Sequence, residues 1–295
     1  MNIKITNSDL PALFNAADTA SLNAQTLYLR LFKFNLLSLA LAAVISGVSQ
    51  NSFTAWSTAI VLVISGMLTV ALYIIHPEKE WYDGRAIAES VKMRTWQYIM
   101  GASHYGINSS EADQLFISDM KAILDDCKTD LTGQFSDGDQ ITAKMKKIRT
   151  LDIGSRKNIY LSERIHDQMK WYSRKARTNS SAAKCYFAII LVGQVLAIAA
   201  AFLMIQYPQA PFNPAAGFLA AAGGFMAWVQ AKQYKQLSES YSVTATELGF
   251  IASLASGIDT ELQLADFVVD SENAISREHT LWIAKRSSKR LPPMN

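Results

Sequence analysis

Two long apolar stretches without any charge set the pattern of this chain. Neither residues 34–75 nor residues 185–231 contain Asp, Glu, Lys or Arg. Each stretch is long enough for two bilayer crossings of about 20 residues with a turn between them. A helix of a soluble protein rarely lacks charge over such a length, because its outer face must meet water. The pattern therefore predicts an integral membrane protein with four transmembrane helices in two hairpins.

Turn-forming residues divide each stretch into two spans. A short polar run, Gln50 to Thr54, separates the first two spans, and Pro77 ends the second. Between the third and fourth spans lie Pro208, Pro211 and Pro214, which cannot continue a helix. The predicted spans cover about residues 31–49, 55–76, 184–207 and 215–231.

The placement of positive charge predicts the orientation in the membrane. Every Lys and Arg lies in the N-terminal, middle or C-terminal segment, and none lies in the two short turns. We therefore expect both termini and the middle segment to face the cytoplasm. The predicted organisation is a cytoplasmic N-terminal segment at 1–30, a first hairpin at 31–76, a cytoplasmic helical region at 77–183, a second hairpin at 184–231 and cytoplasmic C-terminal helices at 232–295.

The chain also repeats itself. A shift of about 150 residues lays the first pair of spans on the second, Arg85 on Lys235 and Glu89 on Glu239. The polar segments have helical periodicity, and no stretch alternates as a strand would. We expect an all-α fold with long cytoplasmic helical extensions, in which the fourth span continues outwards to about Leu248.

Aromatic and charged residues lie at helical spacing in the polar segments. Arg85 and Glu89 predict either an ion-paired, solvated stripe or a surface that couples a cytoplasmic rearrangement to the spans. The candidate coupling and packing residues are Trp81, Arg85, Glu89, Trp96, Arg164, Gln168, Trp171, Glu239, Glu278 and Trp282.

Apart from Lys33, His76 and Lys184 near their ends, the spans contain no Asp, Glu, Lys, Arg or His, which argues against a proton-coupled carrier or a voltage sensor. Gln194 is the strongly polar residue that the pattern singles out, and it favours an interhelical hydrogen bond over a pore. Small residues recur every four positions and allow helices to approach closely. They either seal a hairpin internally or join subunits, and we expect a homo-oligomer. These candidates for the membrane interface are Gly193, Gln194, Ala197, Ala201, Ala216, Ala220 and Gly224.

The sequence shows no recognisable catalytic or metal-binding motif. The four histidines have no ligand spacing, and Glu278 and His279 are neighbours that point about 100° apart on a helix. Cys127 and Cys185 do not form a disulfide framework and are expected to be reduced thiols. No phosphate-binding glycine loop or nucleophile elbow occurs. We therefore expect no metal, no cofactor, no enzymatic activity and no nucleic-acid partner.

Three runs of residues carry a resemblance to a known family. They resemble the SLATT family, helical-hairpin membrane effectors associated with bacterial nucleotide-signalling and conflict systems. The likeness covers most of the chain beyond about residue 25, with the family's hairpin unit present twice. The runs contain Trp81, Gly84, Arg85, Glu89 and Ser90 after the first hairpin, Tyr160, Arg164, Asp167, Gln168, Trp171 and Tyr172 before the second, and Glu272, Ser276, Glu278, His279 and Trp282 near the C-terminus.

The resemblance implies a membrane effector of a bacterial anti-phage defence system. It would reside in the cytoplasmic (inner) membrane, oligomerise with itself and permeabilise the bilayer when triggered. The implied trigger is a nucleotide second messenger or a neighbouring sensor or synthase protein. Two alternatives remain open, namely a non-conducting membrane scaffold or sensor that recruits cytoplasmic partners, and a constitutive channel.

Overall fold

A computed structural model describes residues 4–48, 51–126 and 138–287, without the side chains of residues 277–287. Within these residues the secondary structure is helical and contains no β-strand, which confirms the predicted all-α class. A π-helical turn covers Leu161–His166. The α-helices are α1 (Ala12–Ser46), α2 (Ser52–Ile75), α3 (Pro77–Met100), α4 (Ala112–Asp126), α5 (Ala143–Arg149), α6 (Ile153–Tyr160), α7 (Asp167–Gln206), α8 (Ala215–Lys232), α9 (Tyr234–Leu254) and α10 (Glu261–Ser287).

The chain divides into two compact units, each built from separate stretches of sequence. The polar unit comprises Met1–Ala24, Glu78–Lys175 and Ser240–Asn295, and the membrane unit comprises Gln25–Pro77 and Ala176–Glu239. Each unit therefore takes residues from both halves of the sequence.

The membrane-spanning character of the chain comes from long apolar helices. Among the described residues, Ala12–Ser46, Ser52–Met100 and Ile153–Gln206 are long and apolar enough to cross a bilayer. Helix α8 has 18 residues and is not one of these candidates. It is long enough, but the polar residues Gln230 and Lys232 in its last turn lower its mean hydropathy. The chain is thus a membrane protein, and its fourth span stays a prediction.

A polar network inside the membrane unit joins α1 to α2. The Asn35 amide donates to Oγ1 of Thr69 at 3.0 Å, and the Ser65 hydroxyl donates to Oδ1 of Asn35 at 2.5 Å. Hydrogen bonds of this kind hold neighbouring helices together where no water is available. Asn35 is a strongly polar residue of the first predicted span that the sequence analysis passed over.

The turns that connect the helices of the two hairpins meet within the membrane unit. The backbone N–H of Asn213 donates to the backbone carbonyl of Gly47 at 2.7 Å, and Val48 forms an antiparallel bridge with Phe212. A Cβ added at Gly47 would lie 2.2 Å from the Asn213 carbonyl oxygen, closer than any side chain could come. Glycine is therefore required at this contact.

Each hairpin ends in a residue with left-handed backbone conformation. His76 after α2 has φ of 46°, and Gln233 after α8 has φ of 53°. The prediction that the fourth span continues unbroken to Leu248 is wrong, because a left-handed residue interrupts a right-handed helix. The same break in both halves supports the internal repeat.

The core of the polar unit is rich in aromatic residues. The rings of Tyr98 and Phe116 lie 4.7 Å apart, and those of Trp96 and Tyr160 lie 5.5 Å apart, each pair between different helical segments. Aromatic pairs at such distances add to the gain from apolar burial. The hydroxyl of Tyr98 also donates to Oδ1 of Asp113 at 2.5 Å. Buried aromatic rings thus fix α3 against α4 and α6.

Two arginines bind the carbonyl groups at the C-terminal end of α3 and in the loop after it. Nη1 of Arg156 donates to the Met100 carbonyl at 2.8 Å. Nη2 of Arg149 donates to the carbonyls of Tyr105 and Gly106, both at 2.7 Å. The last carbonyls of a helix have no partner within it, so these guanidinium groups satisfy acceptors that would otherwise be buried unpaired.

Candidate functional site

A fully buried arginine–glutamate pair lies inside the polar unit. The side chains of Arg164 and Glu272 are 1% and 0% exposed. Nε of Arg164 donates to Oε1 of Glu272 at 2.9 Å, and Nη2 donates to Oε2 at 2.7 Å. The Tyr160 hydroxyl donates to the same Oε1 at 3.0 Å. Burying two charges is costly, so a bidentate pair at this depth is weak evidence for stability alone and marks a candidate site.

The local helix geometry places Arg164. It lies in the π-helical turn Leu161–His166, which follows α6 without a break in the chain's helical course. A π-turn adds a residue relative to a regular α-helix, so side chains beyond it face directions that α-helical spacing does not predict. Such turns are often found at functional sites.

A polar cavity of about 30 Å³ lies beside the pair. The Arg85 and Glu89 side chains are 37% and 24% exposed, and Nη2 of Arg85 is 2.7 Å from Oε1 of Glu89. This ion pair therefore lies on the solvent side of the cavity. The cavity is lined by Arg85, Glu89, Ser90 and Met93 of α3, by Arg164, by Tyr172 of α7, and by Glu272, Ile275 and Ser276 of α10.

Burial and neighbouring charges together shift the pKa values of the ionisable groups at the site. Burial lowers the pKa of the Arg164 guanidinium, but the facing Glu272 carboxylate outweighs it and raises that pKa above its ordinary value. Burial and then the charge of Glu272 raise the pKa of the Tyr160 phenol. Burial and then the charge of Arg164 lower the pKa of Lys92. Arg164 therefore stays charged at all accessible pH values.

Four of the predicted candidates come together here. Arg85 and Glu89 form the expected i, i+4 ion pair, and Arg164 lies across the cavity from them. Trp96 is buried against the ring of Tyr160, whose hydroxyl binds the pair. Their distribution over α3 and the π-turn means that the site joins the two halves of the sequence.

Other candidates serve packing in the polar unit. The ring of Trp171 lies 5.0 Å from Tyr172 and 5.5 Å from Tyr241, both edge-on. The ring of Trp81 lies 4.8 Å from that of Tyr82. Gln168 is half-buried in α7. Glu278 and Trp282 belong to α10, but their side chains lie outside the described residues.

Glu239 lies in different surroundings from Glu89, which belongs to the polar unit. Lys235 and Glu239 belong to the membrane unit and line a groove with Lys184, and no ion pair joins them among the described residues. Gln233 follows the break at His76 by 157 residues, close to the shift of about 150 residues that the sequence suggested.

The small residues of the second hairpin divide between two roles. A Cβ added at Gly193 would lie 3.3 Å from Cβ of Ala222, so Gly193 seals the hairpin internally. A Cβ added at Gly224 would lie 3.9 Å from Leu36 of α1, again an internal contact. Ala220 is half-buried in the same helix.

The remaining small residues line an open groove of about 450 Å³ in the membrane unit. Gln194 lies in this groove, is exposed and makes no hydrogen bond among the described residues. The groove is lined by Gln194, Ala197, Ile198, Ala201, Ala215, Ala216 and Leu219.

Glu272 stands in the C-terminal run that carries the family resemblance, but the sequence did not single it out as a coupling or packing candidate. It follows Leu264 and Val268 and precedes Ile275 on the buried face of α10. A carboxylate within an apolar stripe at helical spacing is the signal that could have found it, because a charge is seldom buried unless it is paired. No cluster of potential metal ligands occurs among the described residues.

Comparison with known proteins gives two matches to family models. The model described as "SMODS and SLOG-associating 2TM effector domain 3" matches residues 11–157. The model described as "SMODS and SLOG-associating 2TM effector domain 1" matches residues 160–282. No curated protein and no solved structure matches the chain.

Proposed function

The chain belongs to the SLATT family as a tandem pair of its 2TM effector domains, and from this membership we propose that it is a membrane effector of a bacterial anti-phage defence system. In the proposed function the chain oligomerises and permeabilises the cytoplasmic membrane when triggered. The trigger is a nucleotide second messenger or a neighbouring sensor or synthase protein. The tandem match to effector domains is the observation that carries this proposal.

The groove around Gln194 supports the proposed self-assembly. Its amide has no partner among the described residues of its own chain, although it lies in an apolar helix. An unsatisfied polar group in hydrocarbon is costly. Because an amide both donates and accepts, Gln194 of one copy can pair with Gln194 of another. The small neighbours Ala197, Ala201 and Ala216 would let helices of two copies approach closely.

Cysteine cross-linking tests this assembly. In a chain with Cys127 and Cys185 replaced by Ser, Ala201→Cys should form disulfide-linked dimers in native membranes. Leu203→Cys is the matched control, because Leu203 is exposed on the other side of the same helix. Equal cross-linking at both positions would indicate random collision and contradict a defined interface.

The orientation is proposed from the charge asymmetry. Both termini face the cytoplasm, and the turns between the spans face the periplasm. Alkaline phosphatase, which is active only in the periplasm, should be active when inserted after Gln209 and inactive when fused at the C-terminus. The reverse result would overturn the orientation, and activity at both positions would overturn the fourth span.

Leakage in cells separates the proposed function from the alternatives. Expression from a titratable promoter, followed by phage infection, should depolarise the membrane and admit propidium only after infection. Leakage at once on expression would indicate a constitutive channel. Intact membranes under both conditions would indicate a non-conducting scaffold or sensor.

Coupling through the ion pair of Arg85 and Glu89 is a further part of the proposal. An exposed i, i+4 pair contributes only about 0.3–0.5 kcal/mol, so Arg85→Ala and Glu89→Ala should insert normally. If the pair forms in only one state of a switch, both variants should change the leakage that follows infection. Lys170→Ala, which removes an exposed charge from α7, is the control. If all variants leak like the wild type, the pair is only a solvated ion pair and does not couple the polar unit to the spans.

A further inference from the structure

Aromatic side chains bring the start of α9 to the start of the third predicted span. The rings of Tyr186 in α7 and Tyr234 in α9 stack with their centroids 5.4 Å apart. The indole N–H of Trp228 in α8 donates to the Tyr234 hydroxyl at 3.3 Å. Tyr and Trp are enriched where the hydrocarbon of a bilayer meets its headgroups. This aromatic cluster therefore marks the level at which the second hairpin leaves the membrane.

A groove of about 560 Å³ lies at this level between α7 and the helices α8 and α9. Its apolar wall contains Phe187 and Ile190, which follow Lys184 along the span, and Val229 of α8. Lys184 and Lys235 also line the groove; both are exposed, and neither forms an ion pair or a hydrogen bond among the described residues. We call it the lysine groove, and its volume is that of a small-molecule site, roughly 300–1,000 Å³.

Glu239 is the carboxylate that lines the lysine groove among the described residues, and it lies away from the spans. The Ser238 hydroxyl donates to the Ala176 carbonyl at 2.9 Å. Because the aromatic cluster holds the start of α9 beside the span, this bond shows that α9 runs antiparallel to α7 and away from the membrane. Glu239 follows Ser238 and thus lies beside the part of α7 that precedes Lys184. The two lysines therefore stand between the apolar wall and this carboxylate.

Charge and polarity together decide what the lysine groove can bind. Residues 25–77 and 176–239, which make up the membrane unit, contain six Lys and Arg residues and one carboxylate, Glu239. In the groove itself two lysines accompany that carboxylate, so one positive charge is left in excess. Water or free phosphate would bind the ammonium groups but leave the apolar wall uncovered, and a hydrocarbon chain alone would do the reverse. A phosphate joined to a hydrocarbon chain satisfies both, and basic pockets between transmembrane helices bind such headgroups.

We propose that the lysine groove binds one anionic phospholipid. Its phosphate accepts hydrogen bonds from the ammonium groups of Lys184 and Lys235. The first part of an acyl chain covers the apolar wall. Hydrogen bonds between two charged groups are roughly twice as strong as those between neutral groups. The site requires only that the membrane unit lies in a bilayer, so it does not depend on the proposed effector function.

Native mass spectrometry of the full-length protein tests the site. The protein is purified in a neutral detergent and titrated with dioleoyl phosphatidylglycerol, or with dioleoyl phosphatidylcholine, which has the same chains but a zwitterionic headgroup. We expect one phosphatidylglycerol bound per chain. Phosphatidylcholine should bind about tenfold more weakly, because it carries no net charge to offset the lysines. Inorganic phosphate at constant ionic strength should not displace the lipid, since it leaves the apolar wall uncovered.

Four variants locate the binding. Lys184→Gln and Lys235→Gln should each weaken it about fivefold, which corresponds to the roughly 1 kcal/mol expected for one lysine near anionic lipid. Lys33→Gln is the matched control, because Lys33 is an exposed lysine at the start of the first predicted span and does not line the groove. Ala183→Phe adds a ring inside the groove without changing any charge, and it should abolish the binding.

Circular dichroism shows whether each variant is folded, and the lysine substitutions decide the result if Ala183→Phe is not. No bound lipid, equal binding of the two lipids, displacement by inorganic phosphate, or equal weakening in Lys33→Gln and Lys184→Gln would each overturn the proposal. A dimer that binds no lipid and dissociates in Ala183→Phe would also overturn it, because a second copy would then occupy the groove.

Discussion

Replacing Glu272 by glutamine would remove the charge of a carboxylate that accepts three hydrogen bonds while keeping its shape. In the wild type these bonds come from Nε and Nη2 of Arg164 and from the Tyr160 hydroxyl. In Glu272→Gln the guanidinium group stays buried without a counter-charge. Breaking a buried ion pair in this way costs about 3–5 kcal/mol.

The expected loss of thermal stability distinguishes the buried pair of Arg164 and Glu272 from the partly exposed pair of Arg85 and Glu89. For a unit of about 150–250 residues, 1 kcal/mol changes the midpoint of thermal unfolding by about 2–4 °C. Glu272→Gln should therefore lower the midpoint of the polar unit by roughly 6–20 °C. Arg85→Ala, which removes a partly exposed i, i+4 pair, should lower it by about 2 °C or less.

A double variant tests the physical cause of the loss. Arg164→Met combined with Glu272→Leu replaces both charges with apolar side chains, a change that is often neutral or stabilising by about 1–4 kcal/mol. Tyr160 would lose its acceptor, at a cost of about 1–3 kcal/mol. We therefore expect the double variant to recover most, but not all, of the stability that Glu272→Gln loses.

The measurement is thermal unfolding of the purified full-length protein in neutral detergent, followed by near-ultraviolet circular dichroism. The aromatic core around Trp96 and Tyr160 reports on the polar unit. A midpoint for Glu272→Gln that equals that of Arg85→Ala would refute the buried pair. A double variant no more stable than Glu272→Gln would show that uncompensated charge is not the cause.

Three further predictions concern other parts of the chain. Gly47→Ala should reduce the amount of membrane-inserted protein, because a methyl group there clashes with the backbone of the facing turn. Gly223→Ala, which has open space around it, should not. Equal amounts of the two variants on immunoblots of membranes would contradict the contact. Gln194→Leu should weaken self-association, measured by energy transfer in vesicles, by about 1–2 kcal/mol. Ser38→Ala should not, because the Ser38 hydroxyl donates to a carbonyl of its own helix. Unchanged self-association in both variants would exclude a hydrogen bond between the Gln194 side chains of two copies. The hydrogen bond from the Tyr98 hydroxyl, and then that with Lys146, lowers the pKa of Asp113, so its stabilising effect is present above about pH 4 and lost as the pH falls through the lowered value. The difference in urea midpoint between wild type and Asp113→Asn should narrow in acid, and a constant difference would refute this.

What the sequence determined by itself was the class of protein and its repeat. Residues 34–75 and 185–231 lack charge, and lipid accepts such stretches only as structures that satisfy their own backbone, which here means helices. The tandem SLATT pair was visible for the same reason, because hairpins and short runs of side chains recur along the chain. The ion pair of Arg85 and Glu89 was also predictable, since spacing of four residues brings side chains together on any helix.

What only the tertiary structure decided depends on which distant segments meet. Arg164 and Glu272 are 108 residues apart in sequence, and a π-turn sets the direction of the arginine, so neither periodicity nor spacing could pair them. Gly47 and Asn213 meet only because the turns of the two hairpins lie together in the membrane unit. The break at Gln233 was likewise invisible, because its local sequence favours a continuous helix. The local sequence pattern indicates whether a residue lies in water, in lipid or in the core. The packing of the whole unit determines which distant residue it contacts.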